Sequence, residues 1–286
     1  MKREFKLTIE DKAILRLQEA AQMAQQIYEK PLLLTYSGGK DSDLIVDLAL
    51  KSGVPFEVAH SLTTVDMPET VYHVRKVFAK LEEKGIPCKI IKPVYKSAPV
   101  TMWTLIPQKT IPPTRLARYC CSVLKETAGK GRFIATGVRR AESTKRASRE
   151  SFEIIGSRKQ YGVLLSDDEV FMQDNTEKRM MFETCRPKAK RTVNPIIDWT
   201  DDDVWDYIQS ERIDINSKYS DGYNRVGCIG CPLSGKCNRL REFEEYPTYK
   251  RAYIRAFDKM LDVRKAKGLP TEWKTGEEVF EWWVNG

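Results

Sequence analysis

Two groups of residues in this 286-residue chain carry chemistry by type and spacing. The first is Ser37-Gly38-Gly39-Lys40-Asp41-Ser42, which follows the apolar run Leu32-Leu33-Leu34-Thr35-Tyr36. A strand that ends in such a loop and turns into a helix offers backbone N–H groups to a polyphosphate. Glycines let the ligand approach closely, and the helix N-terminus carries partial positive charge. Lys40 adds a point charge, and Asp41 is a candidate Mg²⁺ ligand. The six residues are therefore expected to hold the phosphates of ATP or an adenylyl nucleotide, although their spacing is not the GxxxxGK of a Walker A loop.

The second group is made of thiols. Four of the seven cysteines come as two close pairs, Cys120-Cys121 and Cys228-Ile229-Gly230-Cys231. If the fold unites the pairs, four thiolates suit tetrahedral zinc and a [4Fe–4S] cluster equally well by softness. Cys237 either replaces an adjacent cysteine as ligand or lies nearby, Cys88 is expected in a core strand, and Cys185 reads as an incidental exposed thiol or a mobile reactive one. Arg139 and Arg140, extended by Arg146 and Arg149, are candidates for gripping phosphate or sulfate through the planar guanidinium fork. His60 and His73, the two histidines, have no partner at ligand spacing and read as packing residues, which argues against a histidine-based triad.

The elements that must position these residues follow from local pattern. Thr8-Ile9-Glu10-Asp11 has the form of a capping box opening a helix that runs to Lys30. Leu32 to Tyr36 reads as a strand and Asp43 to Lys51 as a helix, with Gly53 as its C-cap. Phe56 to Leu62 is a second strand and Pro68 to Lys84 a helix stopped by Gly85, while Cys88 to Ile91 and Arg132 to Val138 give two more strands. This alternation predicts an α/β fold, a doubly wound, mostly parallel sheet with helices on both faces. Ligands of such sheets sit beyond the carboxyl ends of strands, where the Ser37–Ser42 loop and Arg139–Arg140 fall. Residues 157 to 191 lose periodicity and read as a flexible excursion, Thr200 caps a helix through Tyr207, and the chain from Asn238 onward is charged and helical. The expected organisation is an N-terminal helix over residues 1–30, a nucleotide-binding α/β domain with the cysteine loops over 31–235, and a helical C-terminal extension over 236–286.

The formal net charge of +8 suits anionic ligands, nucleotide and nucleic acid alike. No apolar run approaches the roughly 18 residues of a membrane span, and the charged N-terminus lacks the pattern of a secretory signal. A soluble, cytoplasmic protein without membrane contact is expected, in which paired thiols suggest metal rather than disulfides.

The loop resembles the pyrophosphate motif of the ATP pyrophosphatases, the adenine nucleotide alpha-hydrolase-like superfamily. Five further segments resemble the phosphoadenosine phosphosulfate reductase family in order: Thr64–Thr70, Arg118–Cys121, Gly137–Ser143, Asn194–Trp199 and Gly222–Pro232. The resemblance implies that Cys120, Cys121, Cys228 and Cys231 bind a [4Fe–4S] cluster, as in similar adenylylsulfate reductases. It also implies that Asp66 and Glu69 lie beside the nucleotide, although a dipole-stabilising role explains Glu69 equally well. Two departures point away from sulfate reduction. The reductases carry a nucleophilic cysteine in a C-terminal motif resembling Glu-Cys-Gly-Leu-His, whereas the last cysteine here is Cys237, and they tend to have a degenerate loop, whereas Lys40 and Asp41 are present here.

The expected activity is therefore nearer to the phosphorothioation-type ATP pyrophosphatases: ATP with Mg²⁺ adenylates a substrate, with Lys40, Asp41 and Arg139 as catalytic residues, and a cluster supports sulfur transfer. The partners then expected are a nucleic-acid acceptor (DNA or tRNA), a sulfur donor such as a cysteine desulfurase, and a second copy of the chain in a homo-oligomer. The alternatives are a phosphoadenosine phosphosulfate or adenylylsulfate reductase with its nucleophile relocated to Cys185 or Cys237, and a non-catalytic nucleotide- and redox-sensing module.

Overall fold

The computed structural model describes residues 7–126, 129, 131–144, 146–155 and 190–286. The chain begins with helix α1 (Ile9–Tyr28), opened by the expected capping box: Thr8 Oγ1 accepts the Asp11 N–H at 3.0 Å and Asp11 returns a bond to the Thr8 N–H. It then forms strand β1 (Leu32–Thr35), helix α2 (Lys40–Ser52), strand β2 (Phe56–Ser61), helix α3 (Pro68–Glu83) and strand β3 (Cys88–Ile91). Helix α2 starts three residues earlier than its apolar periodicity suggested, because its first turn is polar and belongs to the loop.

Strands β6 (Phe133–Ala135), β7 (Phe152–Ile155) and β8 (Lys190–Val193) complete a six-stranded sheet of order β3-β2-β1-β6-β8-β7. The β1–β2, β1–β6 and β6–β8 pairs are parallel, and β7 runs antiparallel on the edge, so the sheet is mostly parallel. Leu32, Leu33 and Leu34 are all buried, as are Phe133, Ile134 and Ala135. Successive strand residues point to opposite faces, so consecutive burial means that both faces are covered. In the parallel register Leu34 lies opposite Ala135, so the chain leaves β1 and β6 side by side, toward the Ser37–Ser42 loop and Arg139.

Three sequence expectations change. Strands β7 and β8 carry no recognisable period, and β8 claims Lys190 and Arg191 from the expected excursion. Arg191 is fully buried, and its guanidinium reaches the Tyr28 hydroxyl at 2.9 Å, so a basic run became an interior strand by pairing. The rest of that excursion, Cys185 included, lies outside the described residues. Cys88 is not in the core: β3 is a sheet edge with half-buried and exposed residues, and partial burial pushes the Cys88 thiol up to about 11. The helix capped by Thr200, α6 (Asp201–Ser210), runs past Tyr207.

The chain forms two compact units that do not follow the boundaries at residues 30 and 235 expected from the sequence. Among the described residues, one falls within 1–60, 72–89 and 128–224 and holds most of the sheet with α1, α2 and α6. The other comprises residues 61–71, 90–127 and 225–286. It contains the hairpin β4 (Val94–Tyr95) and β5 (Ala98–Pro99) and helices α4 (Met102–Lys109) and α5 (Tyr119–Leu124), together with α7 (Lys236–Glu245), α8 (Pro247–Ala266) and α9 (Gly276–Asn285). Its interior is aromatic: Tyr253 and Trp283 lie 4.7 Å apart between ring centroids, and Phe243 and Phe280 lie 4.9 Å apart. The cysteine pairs thus fold with the C-terminal helices.

Candidate active site and cysteine centre

In the first unit, Ser37–Ser42 forms a tight turn into α2. Ser42 Oγ donates to the Gly39 carbonyl at 2.7 Å and accepts the Gly39 N–H at 3.1 Å, so the turn is closed by its own side chain. Tyr219 Oη accepts the Lys40 N–H at 3.0 Å, and Asn216 Nδ2 donates to the Gly38 carbonyl at 3.3 Å.

Charges converge at the loop mouth. Arg139, which is 2% exposed, donates from Nε to Asp41 at 2.7 Å and from Nη2 to Asp201 at 2.7 Å. Lys40 Nζ lies 3.3 Å from Asp41 and 3.5 Å from Asp201, and 5.8 Å above the Trp205 ring. The Arg139 hydrogen bond holds the Asp201 carboxyl below its ordinary range. Gly137 lets the segment after β6 approach α2, since a Cβ there would sit 3.1 Å from the Asp41 Cβ. The result is a quartet of two cations and two carboxylates, of which sequence reasoning named Lys40, Asp41 and Arg139. Asp201 was not among them; a carboxylate on the first turn of the helix capped by Thr200 was the available signal.

The expected basic cluster does not stand free. Arg140 Nη2 pairs with Glu150 at 3.1 Å, and Arg146 and Arg149 pair with Glu142 and Glu153. Acidic residues within ten positions of each arginine, passed over in the sequence, account for this. His73 is buried, as expected of a packing residue, and its Nε2 lies 2.9 Å from Asp43 Oδ1, which also accepts the Tyr36 hydroxyl. All three are buried, and burial raises the Asp43 carboxyl against the opposing pull of His73 and Tyr36. Tyr36 and Asp43 flank the loop on either side, so this trio joins its two stems.

In the second unit, Cys120, Cys121, Cys228 and Cys231 line one cavity of about 30 Å³, with Thr63, Met102, Lys125 and Tyr253 among its other walls. The Cys228–Cys231 segment turns back on itself, with Cys231 N–H donating to the Cys228 carbonyl at 3.2 Å, and is pinned by the Ile229 N–H to the Val65 carbonyl at 2.8 Å. Gly230 is required at its apex. Its φ is +69°, and a Cβ would lie 2.6 Å from the Phe243 ring and 2.8 Å from Trp283. Glu242 accepts the Gly230 N–H at 2.7 Å from within the aromatic interior, where burial lifts its carboxyl to about 7.

Adjacent thiols differ sharply. Hydrogen bonding from Cys120, with the Arg118 guanidinium 3.5 Å from its sulfur, pulls Cys121 down to about 5, while the same bond and burial push Cys120 up. Burial raises Cys228 against the pull of Lys125, whose own ammonium is stabilised first by Cys228 and then by Asp66. Soft donors facing one cavity fit the donor chemistry of an iron–sulfur cluster or zinc. Among the described residues, however, no three Cys, His, Asp or Glu side chains are already spaced around one ion. Asp66 and Glu69 belong to this unit: Asp66 accepts the Thr63 N–H at 3.0 Å and bridges to Cys228, and Glu69 accepts the Tyr246 hydroxyl at 2.7 Å. Cys237 is exposed at the start of α7.

A mostly parallel α/β unit with a glycine-rich loop at the carboxyl end of its central strand, and a second unit in which four cysteines line one cavity, define the class. Residues 31–234 match the phosphoadenosine phosphosulfate reductase domain, and the chain belongs to that family. It is 28% identical over 236 residues to an uncharacterised protein of Methanocaldococcus jannaschii, covering 82% of this chain and 47% of that one. It is 29% identical over 202 residues to sulfate adenylyltransferase subunit 2 of Streptomyces lavendulae, covering 67% of this chain and 57% of that protein. Adenosine 5'-phosphosulfate reductase of Staphylococcus saprophyticus is 22% identical over 222 residues, covering 74% of this chain and 75% of that enzyme. The chain spans about half the length of the archaeal and Streptomyces relatives. No helix among the described residues is long and apolar enough to cross a membrane.

Proposed function

We propose that the protein is an ATP pyrophosphatase-type enzyme of sulfur metabolism that adenylates an acceptor and supports its thiolation. The observation that carries this reading is the quartet of Lys40, Asp41, Arg139 and Asp201 at the mouth of the Ser37–Ser42 loop. Two cations and two carboxylates in mutual contact are balanced without ligand. The phosphates of an incoming polyphosphate would take the cations, and Asp41 and Asp201 would hold its Mg²⁺, so no charge is left unpaired.

In the reaction proposed, an oxygen of the acceptor attacks the α-phosphorus of ATP and the bond from that phosphorus to the αβ-bridging oxygen breaks. Lys40, Arg139 and the loop N–H groups stabilise the charge gathering on the departing pyrophosphate. Mg²⁺ held by Asp41 and Asp201 would supply further charge neutralisation. Sulfur at the sulfide level then bonds to the acceptor as AMP leaves with the original oxygen. Cys120, Cys121, Cys228 and Cys231 would hold a [4Fe–4S] cluster, which supplies an iron–sulfur centre for handling that sulfur. A nucleic-acid acceptor agrees with the basic net charge of the chain, and a sulfur donor such as a cysteine desulfurase, with a thiol reductant that supplies the two electrons taking its persulfide sulfur to the sulfide level, completes the scheme.

The test is anaerobic purification followed by incubation with ATP and, separately, with adenylyl sulfates, scoring pyrophosphate, AMP and sulfite. Pyrophosphate and AMP from ATP, rising when the acceptor is added, are expected. Robust thioredoxin-dependent sulfite release would instead favour a sulfonucleotide reductase, the reading supported by the likeness to the staphylococcal enzyme. Iron and acid-labile sulfide in the ratio of a [4Fe–4S] cluster are expected in the anaerobic protein. Stoichiometric zinc without iron would make the cysteine centre structural.

A further inference from the structure

The Tyr219 hydroxyl sits where the loop would meet its ligand. It accepts the Lys40 N–H at 3.0 Å, and it lies 3.2 Å from the point a Cβ on Gly39 would occupy. An oxygen therefore rests in the space opened by the missing side chain of Gly39 and against the first N–H of α2. A neutral phenol is a modest partner for a helix N-terminus, where an anionic oxygen forms a hydrogen bond about twice as strong and gains from the dipole. The rest of the loop is closed upon itself, the Gly39 N–H by Ser42 Oγ. Tyr219 is only half-buried; its ring meets Trp205 edge-on at 5.6 Å, on a short turn (Ser217–Tyr219) opened by Asn216.

We propose that Tyr219 Oη marks the subsite for one phosphate oxygen of the ligand and is displaced from the Lys40 N–H when a polyphosphate binds. This rests on the loop being the phosphate site. It adds the position of a contacting oxygen and a residue that competes for it, so that affinity is set partly by a side chain nearly 180 residues further along the chain. The ligand class is an inorganic or nucleotide polyphosphate, whose tetrahedral oxygens replace the hydroxyl without moving the loop.

Calorimetric titration of the full chain with inorganic pyrophosphate and with ATP·Mg²⁺ tests this on wild type and Tyr219→Phe. The substitution keeps the ring against Trp205 and removes the competing acceptor. Binding is expected to tighten by about three- to tenfold, the range spanned by one neutral hydrogen bond. Unchanged or weaker binding in Tyr219→Phe, with wild type binding normally, overturns the displacement alone. Absence of pyrophosphate and ATP binding by wild type overturns the loop assignment and the displacement together. A second measurement needs no variant: nitration of Tyr219 by tetranitromethane, followed by peptide mass mapping, should accelerate when pyrophosphate is added. Protection of Tyr219 by pyrophosphate, or an unchanged rate under saturating ligand, would mean that the hydroxyl stays in place.

Discussion

The glycine-rich loop and the cysteine centre belong to different compact units and are held by different forces. The loop site is a polar device: Lys40, Asp41, Arg139 and Asp201 face one another as charges, and Ser42 and Tyr219 satisfy the backbone. The cysteine centre is a shape device, a turn made possible by Gly230, wedged against aromatic rings and anchored by one buried carboxylate. Charges that neutralise each other can exchange partners with a ligand, whereas a turn set by packing has nothing to exchange. The first arrangement suits a site that binds and releases a polyanion, and the second suits one that keeps soft donors fixed.

If packing governs the cysteine centre, its largest vulnerability is Gly230. Gly230→Ala places a Cβ against Phe243 and Trp283 at positive φ, combining overpacking with backbone strain, and is expected to cost about 3–5 kcal/mol in denaturant unfolding. A loss below about 1 kcal/mol would mean that the loop relaxes freely and that shape is not what holds it.

Glu242 sharpens the same contrast through pH. Its carboxyl rises from an ordinary value of 4.5 to about 7 on folding, so the folded state binds the proton more tightly. That contribution is fully present below pH 4.5 and is lost as pH rises through about 7. It amounts to about 3 kcal/mol across the window by the usual conversion of a pKa shift. Glu242→Gln should remove this slope from a pH series of unfolding midpoints while keeping an acceptor for the Gly230 N–H. A slope of the same size in the variant would assign the dependence elsewhere.

At the loop, Arg139→Met removes the two shorter ion pairs and leaves Asp41 and Asp201 with Lys40 alone. The cost should be about 2 kcal/mol of stability, below the ~3–5 of a fully buried pair because Asp201 is largely exposed to water. Thermal unfolding of Arg139→Met and of Arg139→Met/Asp201→Asn checks this: the second change should recover part of the loss.

Lys40→Ala is the smallest perturbation of the fold and the most direct one of chemistry. Pyrophosphate release from ATP should fall by at least about tenfold, roughly 1.4 kcal/mol of transition-state stabilisation, with a smaller stability loss than Arg139→Met, because Arg139 still pairs with both carboxylates. Undiminished turnover would detach the loop from catalysis.

Much of the local structure was legible because it is decided within a few residues. The capping boxes at Thr8 and Thr200, the strand before Ser37, the helix stops at Gly53 and Gly85 and the turn at the loop depend on hydrogen bonds across three or four positions. Two expectations that rested on local pattern alone did not hold. Cys88 sits in a strand that apolar pattern suggested was central, yet nothing in four residues says whether a strand lies at an edge. Arg191 reads as solvated until the Tyr28 hydroxyl meets it in the interior.

A glycine-rich loop between a strand and a helix, two cysteine pairs, and alternating elements suited to a mostly parallel sheet are all legible residue by residue. Those follow from periodicity, capping and side-chain chemistry, which act over short separations. Only the tertiary structure decided that Asp201 joins Lys40 and Arg139, that both cysteine pairs face one cavity within the C-terminal unit, and that Tyr219 reaches the Lys40 N–H. Each of these contacts joins residues many tens of positions apart. Which distant groups meet is set by strand order and by the burial that each group must have compensated, and neither is written in the residues on either side of it.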